Sequence, residues 1–226
     1  MASERTVIER RAQFSVYLIA WFKKNHKNYP WRKTKEPYKI FIAEIMLRKT
    51  NAEKVLTIFE PFVRRYPEFN SLARASPKEL EENLRPLGLY RLRAEQLKRL
   101  AETIVSKFDG QLPNSKKELL ELPGVGNYIA NAILCFAFNQ NVPILDTNII
   151  RIIARAFSQK SKRRRARNDP VIWQMVAKLI PDDDARSFNL ALLDLASIVC
   201  TPKNPRCSIC PVVSLCNYGR EVLWGE

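Results

Sequence analysis

Residues 122 to 138 read Leu-Pro-Gly-Val-Gly-Asn-Tyr-Ile-Ala-Asn-Ala-Ile-Leu-Cys-Phe-Ala-Phe. A proline followed by two glycines one residue apart makes a turn, and the apolar run after it predicts a helix over 126 to 138. Ahead of the turn, Ser115-Lys116-Lys117-Glu118 puts Ser at an N-cap and Glu at the third helical position, so a short helix leads in. The stretch is a hairpin between helices. Backbone N–H groups of Gly124, Val125 and Gly126, exposed at a helix N-terminus, bind a phosphate without reading a base; the same residues also serve as a plain tight turn. Cys135, inside the apolar run, reads as a buried inert thiol.

Helical patterning continues outward on both sides. Toward the N-terminus, Arg91 to Phe108 predicts a helix entered through Leu87-Gly88-Leu89-Tyr90, and Ser76-Pro77-Lys78-Glu79 marks another start with Pro at N1. Tyr38 to Arg48 reads as a largely buried helix with one acid, Glu44, among Ile40, Phe41, Ile42, Ile45 and Met46. A further helix covers 7 to 24, with Ile8, Phe14, Tyr17, Leu18 and Phe22 at helical spacing and Lys23 and Lys24 at its C-terminal end. Toward the C-terminus, helices are expected at 147 to 158, 170 to 180 and 185 to 199. Nothing reads as strand or repeat, so the fold class is all-α.

The chain is long enough to bury a core without disulfides, and 46% of its 226 residues are hydrophobic, which excludes a disordered polycation. A formal net charge of +15 favours a polyanionic partner. No apolar run approaches the about 20 residues of a membrane span, and the N-terminus lacks a signal-peptide core. The expectation is a soluble intracellular protein of the cytoplasm or nucleoid, monomeric and without membrane partner.

Cys200, Cys207, Cys210 and Cys216 form a C-x6-C-x2-C-x5-C run. Unequal spacing in a compact four-thiolate set suits a [4Fe-4S] cluster better than zinc, which more often takes two short pairs across a longer loop; zinc, or no metal, stays open on spacing alone. With Lys203 and Arg206 in its first loop, the run staples a basic segment against phosphate, electron transfer being the alternative. Asp146-Thr147-Asn148 opens the helix at 147, so Asp146 is an N-cap whose negative charge can either satisfy its own helix or face a cation that develops during reaction. From Lys160 to Arg167 the chain is almost continuously basic, either a solvated loop or an additional nucleic-acid contact.

Together, the hairpin run, Val142-Pro143-Ile144-Leu145-Asp146-Thr147-Asn148 and the cysteine run resemble the helix-hairpin-helix base-excision DNA glycosylases with an iron–sulfur loop, the endonuclease III superfamily. The likeness extends from Pro30-Trp31-Arg32 through Pro37 to Thr50 and on to Cys216, nearly the whole chain. It implies a two-lobed fold: a six-helix lobe over 26 to 138, and a cluster lobe of 1 to 25 plus 139 to 226, joined at a cleft bearing Tyr128 and Asp146. Bifunctional members carry Lys where Tyr128 stands. Tyrosine has no amine for a Schiff base, so the resemblance implies hydrolysis that leaves an intact abasic site.

Arg48 and Lys49, where adenine enzymes of the MutY type have paired glutamines, and Phe188-Asn189-Leu190 are more similar to the archaeal-type thymine-DNA mismatch glycosylases. The sequence stops soon after Cys216, with the expectation of no C-terminal domain for inspecting 8-oxoguanine. By resemblance, Asp146 stabilises an oxocarbenium-like sugar, Asn148 supports that transition state, Tyr128 lines the sugar side, and Glu44, its neutral form favoured by burial, serves the flipped base or the attacking water. Ala52 and Leu190 match base-pocket positions, Lys49 the residue that fills the gap in the duplex, and Leu89 the wedge of the opposite loop, with Arg48 beside them. The implied partner is double-stranded DNA containing a mismatched or damaged base, the implied cofactor [4Fe-4S], and the implied substrate thymine or uracil opposite guanine. Adenine opposite guanine or 8-oxoguanine is the alternative, and a DNA-binding iron–sulfur protein without catalysis a remoter one.

Overall fold

The computed structural model describes residues 4 to 225, with side chains from Ile8 onward. The described residues form helices and turns, with no strand among them. In chain order the α-helices are α1 (Glu4–Asn25), α2 (Pro37–Leu47), α3 (Ala52–Arg65), α4 (Phe69–Arg74), α5 (Pro77–Leu84), α6 (Tyr90–Phe108), α7 (Lys116–Glu121), α8 (Asn127–Phe136), α9 (Thr147–Phe157), α10 (Pro170–Ala177), α11 (Ala185–Ile198) and α12 (Asn217–Trp224). They fall into two compact units, Asn28–Phe138 and Met1–Lys27 with Asn139–Glu226.

In the unit Asn28–Phe138, α2 starts on Pro37 at N1 and buries every residue from Ile40 to Met46. A helix apolar all round has to be surrounded, and α2 packs against α3 and α8. Trp31, in a 3-10 turn, stacks on Tyr29 at 4.8 Å between ring centres and meets Phe59 edge-on at 5.2 Å. Truncating this buried indole to alanine would cost about 3–5 kcal/mol. Ser76 and Glu79 close the expected capping box at the start of α5, each bond 3.2 Å. At α7, Ser115 accepts from Glu118 N–H at 3.4 Å.

Asn28–Phe138 holds seven α-helices where the resemblance implies six; α3 and α4 fall in a stretch without strong helix signals, α3 carrying Pro61 in its interior and α4 being six residues long. Asn51 caps α3, its side chain accepting from Glu53 N–H at 3.0 Å.

In the other unit, α1 buries Phe14, Leu18 and Phe22 and packs on α11, while Ile8 and Tyr17 are exposed. The buried face of α9 is Ile149, Ile152, Ile153 and Ala156. Arg10 ties α1 to the cysteine segment: its guanidinium donates to the Leu215 carbonyl at 3.0 Å, the Ala156 carbonyl at 2.8 Å and Asn217 Oδ1 at 2.6 Å. Helix α12 lies beyond the expected elements and is capped by a sulfur, Cys216 Sγ accepting from Gly219 N–H at 3.4 Å.

Candidate functional site

The residues singled out in the sequence divide between the two units. Glu44, Arg48, Lys49, Ala52, Leu89, Gly124 to Gly126 and Tyr128 belong to Asn28–Phe138; Asp146, Asn148, Leu190 and the four cysteines belong to the other.

The hairpin turns at Gly124, whose φ of 75° is left-handed and favours glycine. Val125 N–H donates back to the Leu122 carbonyl at 3.1 Å and its side chain is buried, so this amide is used inside the turn, while Gly124 and Gly126 are exposed. Gly126 is the N-cap of α8, leaving the first-turn amides of that helix without helical acceptors. Arg48 Nη1 lies 3.5 Å from where a Cβ on Gly124 would sit, and it is buried without a hydrogen-bond partner. A buried guanidinium N–H without a partner is uncommon in a folded protein, and here it lies beside the glycine turn.

Lys49 and Leu89 are both exposed, and both have left-handed backbone, φ 54° and 50°. Such conformations cost non-glycine residues about 1–3 kcal/mol and persist where the surroundings fix them. Arg93, which the sequence reading does not single out, does so here: Nη2 donates to the Arg48 carbonyl at 2.8 Å and Thr50 Oγ1 at 2.5 Å, Nη1 to the Ile45 and Met46 carbonyls at 3.4 and 3.3 Å, and Nε to the Gly88 carbonyl at 2.9 Å. Ala52, half-buried, opens α3 just beyond this turn.

Glu44 is 6% exposed in the middle of α2. Tyr128 is half-buried in the first turn of α8, the helix against which α2 packs.

Asp146 is the N-cap of α9. Oδ1 accepts from Asn148 N–H at 2.9 Å and Ile149 N–H at 2.8 Å, and Oδ2 accepts from Asn148 Nδ2 at 2.8 Å. A carboxylate offers about four lone-pair directions, so these three bonds fix its plane and leave acceptor capacity on Oδ2. Asn148 is held in turn: its Oδ1 accepts from Arg151 Nη1 at 2.9 Å, and Arg151 donates onward to the Cys200 carbonyl at 3.0 Å and the Ala196 carbonyl at 3.1 Å. Leu190 is buried in α11, and its neighbour Asn189, fully buried, donates to the Val142 carbonyl at 3.0 Å and accepts from Ile144 N–H at 3.1 Å. Asn189 thereby pins the extended segment that delivers Asp146.

Cys200, Cys207, Cys210 and Cys216 line one cavity. Burial pushes the Cys210 thiol up to about 12 and raises Cys207 and Cys216, so loading the site releases protons. Arg155 Nη1 approaches Cys200 Sγ at 3.4 Å and donates to the Thr201 carbonyl at 2.7 Å. At Gly219 an added Cβ would meet Val213 Cγ2 at 3.0 Å and Cys216 Sγ at 3.6 Å, which is why the chain has glycine where it passes the sulfur. Arg206, exposed like Lys203, donates from Nε to the Ile198 carbonyl at 3.0 Å and so caps α11.

The basic run is ordered by its own contacts. Ser161 Oγ donates to Asp169 Oδ2 at 2.6 Å, and Trp173 Nε1 donates to the Arg167 carbonyl at 2.9 Å, while Lys160, Lys162, Arg163, Arg164, Arg165 and Arg167 stay exposed. No described helix is long and apolar enough to cross a membrane.

Residues 42–174 match the family model of the HhH-GPD superfamily base excision DNA repair proteins, and residues 200–216 match the iron-sulfur binding domain of endonuclease III. The thymine-DNA glycosylase of Aeropyrum pernix is 42% identical over 89% of this chain and 92% of its own length. The thymine/uracil-DNA glycosylase of Pyrobaculum aerophilum is 41% identical over 89% of each. Adenine DNA glycosylases also match, at lower identity. The solved structure of a thermostable thymine-DNA glycosylase superposes with a TM-score of 0.89 at 34% identity, covering 94% of this chain and 98% of that one.

Proposed function

The chain belongs to the HhH-GPD superfamily of base excision DNA repair proteins and is a DNA glycosylase with an iron–sulfur binding domain; from that premise we propose that it hydrolyses the N-glycosidic bond of thymine or uracil opposite guanine, and does so without strand cleavage. The observation that carries the chemistry is Asp146, a carboxylate whose orientation is set by three N–H donors at the head of α9. The preference for a pyrimidine rests on the identity to the thymine and thymine/uracil enzymes.

In the proposed reaction the target nucleotide leaves the stack, and a mispair lowers the few kcal/mol which that requires. Lys49 fills the gap and Leu89 wedges the opposite strand. Gly124, Gly126 and the Arg48 guanidinium hold backbone phosphate. Ala52 and Leu190 contact the base.

As the C1′–N1 bond breaks, its electron pair goes to the base and positive charge grows on the sugar. The fixed carboxylate of Asp146 faces that charge, a preorganised electrostatic contribution. Asn148 keeps the carboxylate in place. Water adds its oxygen to C1′, and Glu44 serves the flipped base or that water, donating when protonated and accepting the water proton when ionised. Tyr128 lines the sugar side and cannot form an imine, so the product is an intact abasic site. Cys200, Cys207, Cys210 and Cys216 would hold a [4Fe-4S] cluster that staples the Lys203 loop; as a cofactor it supplies structure, and no step passes through it. The protein acts as a monomer on duplex DNA.

A single-turnover panel tests this on duplexes that differ only at the mispair, with alkali added to reveal abasic sites and borohydride to trap any imine. Thymine and uracil opposite guanine should be released faster than adenine opposite guanine or 8-oxoguanine, with no trapped adduct. Faster adenine release would reassign the substrate, with Glu44 then the acid that protonates the purine; efficient trapping would reassign Tyr128.

A further inference from the structure

We propose that Arg93 is a positioning residue for base extrusion: one buried guanidinium that holds the turn carrying Lys49 and the turn carrying Leu89 in a fixed mutual setting. This rests on the proposed insertion of those two side chains into the duplex.

Arg93 is 7% exposed, and every acceptor it reaches among the described residues is a carbonyl or a hydroxyl. Burial and the neighbouring Arg48 charge both pull its pKa down. A buried cation without an acidic partner, next to a like charge, is a poor device for stability, and an apolar side chain of the same volume would serve the core as well. What only a guanidinium supplies is a rigid fork of donors in fixed directions.

Here the fork spans two segments distant in sequence. It takes the Arg48 carbonyl and Thr50 Oγ1, on either side of Lys49, and the Gly88 carbonyl, directly before Leu89, whose own carbonyl accepts from Arg93 N–H at 3.0 Å. Lys49 and Leu89, two of the six non-glycine residues with left-handed backbone among the described residues, are thus the two that Arg93 brackets. Leu89 is 63% exposed, an apolar side chain held out in solvent. Tyr90, the next residue, is flanked by Arg85 and Arg91 at 5.2 and 5.8 Å from its ring centre, which stiffens the same turn. Fixing two points that enter a duplex from separate loops is what converts binding into local unstacking, since neither side chain can yield independently of the other.

The test compares wild type with Arg93→Lys, which keeps a charge but replaces the fork by a compact ammonium. Base release is measured in single turnover on a duplex mispair and on the same strand with the target inside an unpaired bubble, while 2-aminopurine beside the target reports unstacking. The expected result is roughly 10²-fold slower release from the duplex, the scale of a misplaced positioning group, with the fluorescence rise lost. Release from the bubble should stay within about 3-fold of wild type, because extrusion there no longer opens a stacked pair. Equal slowing on both substrates, or an intact fluorescence rise, overturns the inference. If circular dichroism shows that Arg93→Lys does not fold, Thr50→Val removes one acceptor and leaves Arg93 in place; a smaller defect confined to the duplex supports the inference and no such bias overturns it. A wild type that releases neither thymine nor uracil rejects the substrate assignment, and Arg93 is then judged on the 2-aminopurine signal of wild type against variant.

Discussion

Asn148 holds Asp146 twice, its backbone N–H on Oδ1 at 2.9 Å and its side-chain Nδ2 on Oδ2 at 2.8 Å. The first bond belongs to any N-cap; the second is specific to the asparagine. Asn148→Ala keeps the first and removes the second, freeing the carboxylate to rotate. Single-turnover release should fall roughly 10-fold or more, as expected when a catalytic group loses its preset geometry. Thermal unfolding should register roughly 1–3 kcal/mol, because the bond to Asp146 Oδ2 and the one accepted from Arg151 Nη1 are both lost. Wild-type rates in this variant would mean that the backbone bonds alone orient Asp146.

The four cysteines lead to a stoichiometry. Protein purified without oxygen should be yellow-brown and contain about four irons per chain, as a cubane requires. Chelating the iron should lower the unfolding temperature, because the segment from Cys200 to Cys216 anchors Arg10 through the Leu215 carbonyl and Arg155 through the Thr201 carbonyl. Stoichiometric zinc in a colourless protein would contradict the assignment.

For the basic run, Lys162, Arg164 and Arg165 are exposed, whereas Arg163 donates to the Asn168 carbonyl at 3.2 Å. Replacing Lys162, Arg164 and Arg165 with Gln should reduce the slope of log affinity against log salt by about 0.9 for each phosphate that is no longer neutralised. An unchanged slope would mark the run as a solvated loop.

Much of the site could be read in the residues because its parts are local. The turn at Gly124, the box of Ser76 and Glu79 and the cap at Asp146 each depend on neighbours a few positions away, and the structure forms all of them. What escaped depends on distant contacts. Arg93 has the look of a surface cation on a charged helix until its bonds to the end of α2 are seen. One signal was present: it stands on the buried stripe of α6 with Leu97, Leu100 and Ile104, where an arginine is out of place. The contacts of Arg151, and of Asn189 within Phe188-Asn189-Leu190, are illegible for the same reason, their partners lying at Cys200 and Val142. Helix α12 was hidden because its cap is a cysteine already assigned to metal.

Asp146→Asn tests most directly that this carboxylate provides charge to the reaction. Asparagine caps a helix as well as aspartate does, so the fold and the affinity for mispaired DNA should persist. With enzyme in saturating excess over a guanine–thymine duplex, thymine release should be slower by about 10²-fold or more, the range for losing one preorganised electrostatic group. Release at the wild-type rate by a folded, DNA-binding Asp146→Asn protein would reduce Asp146 to a helix cap and contradict the account.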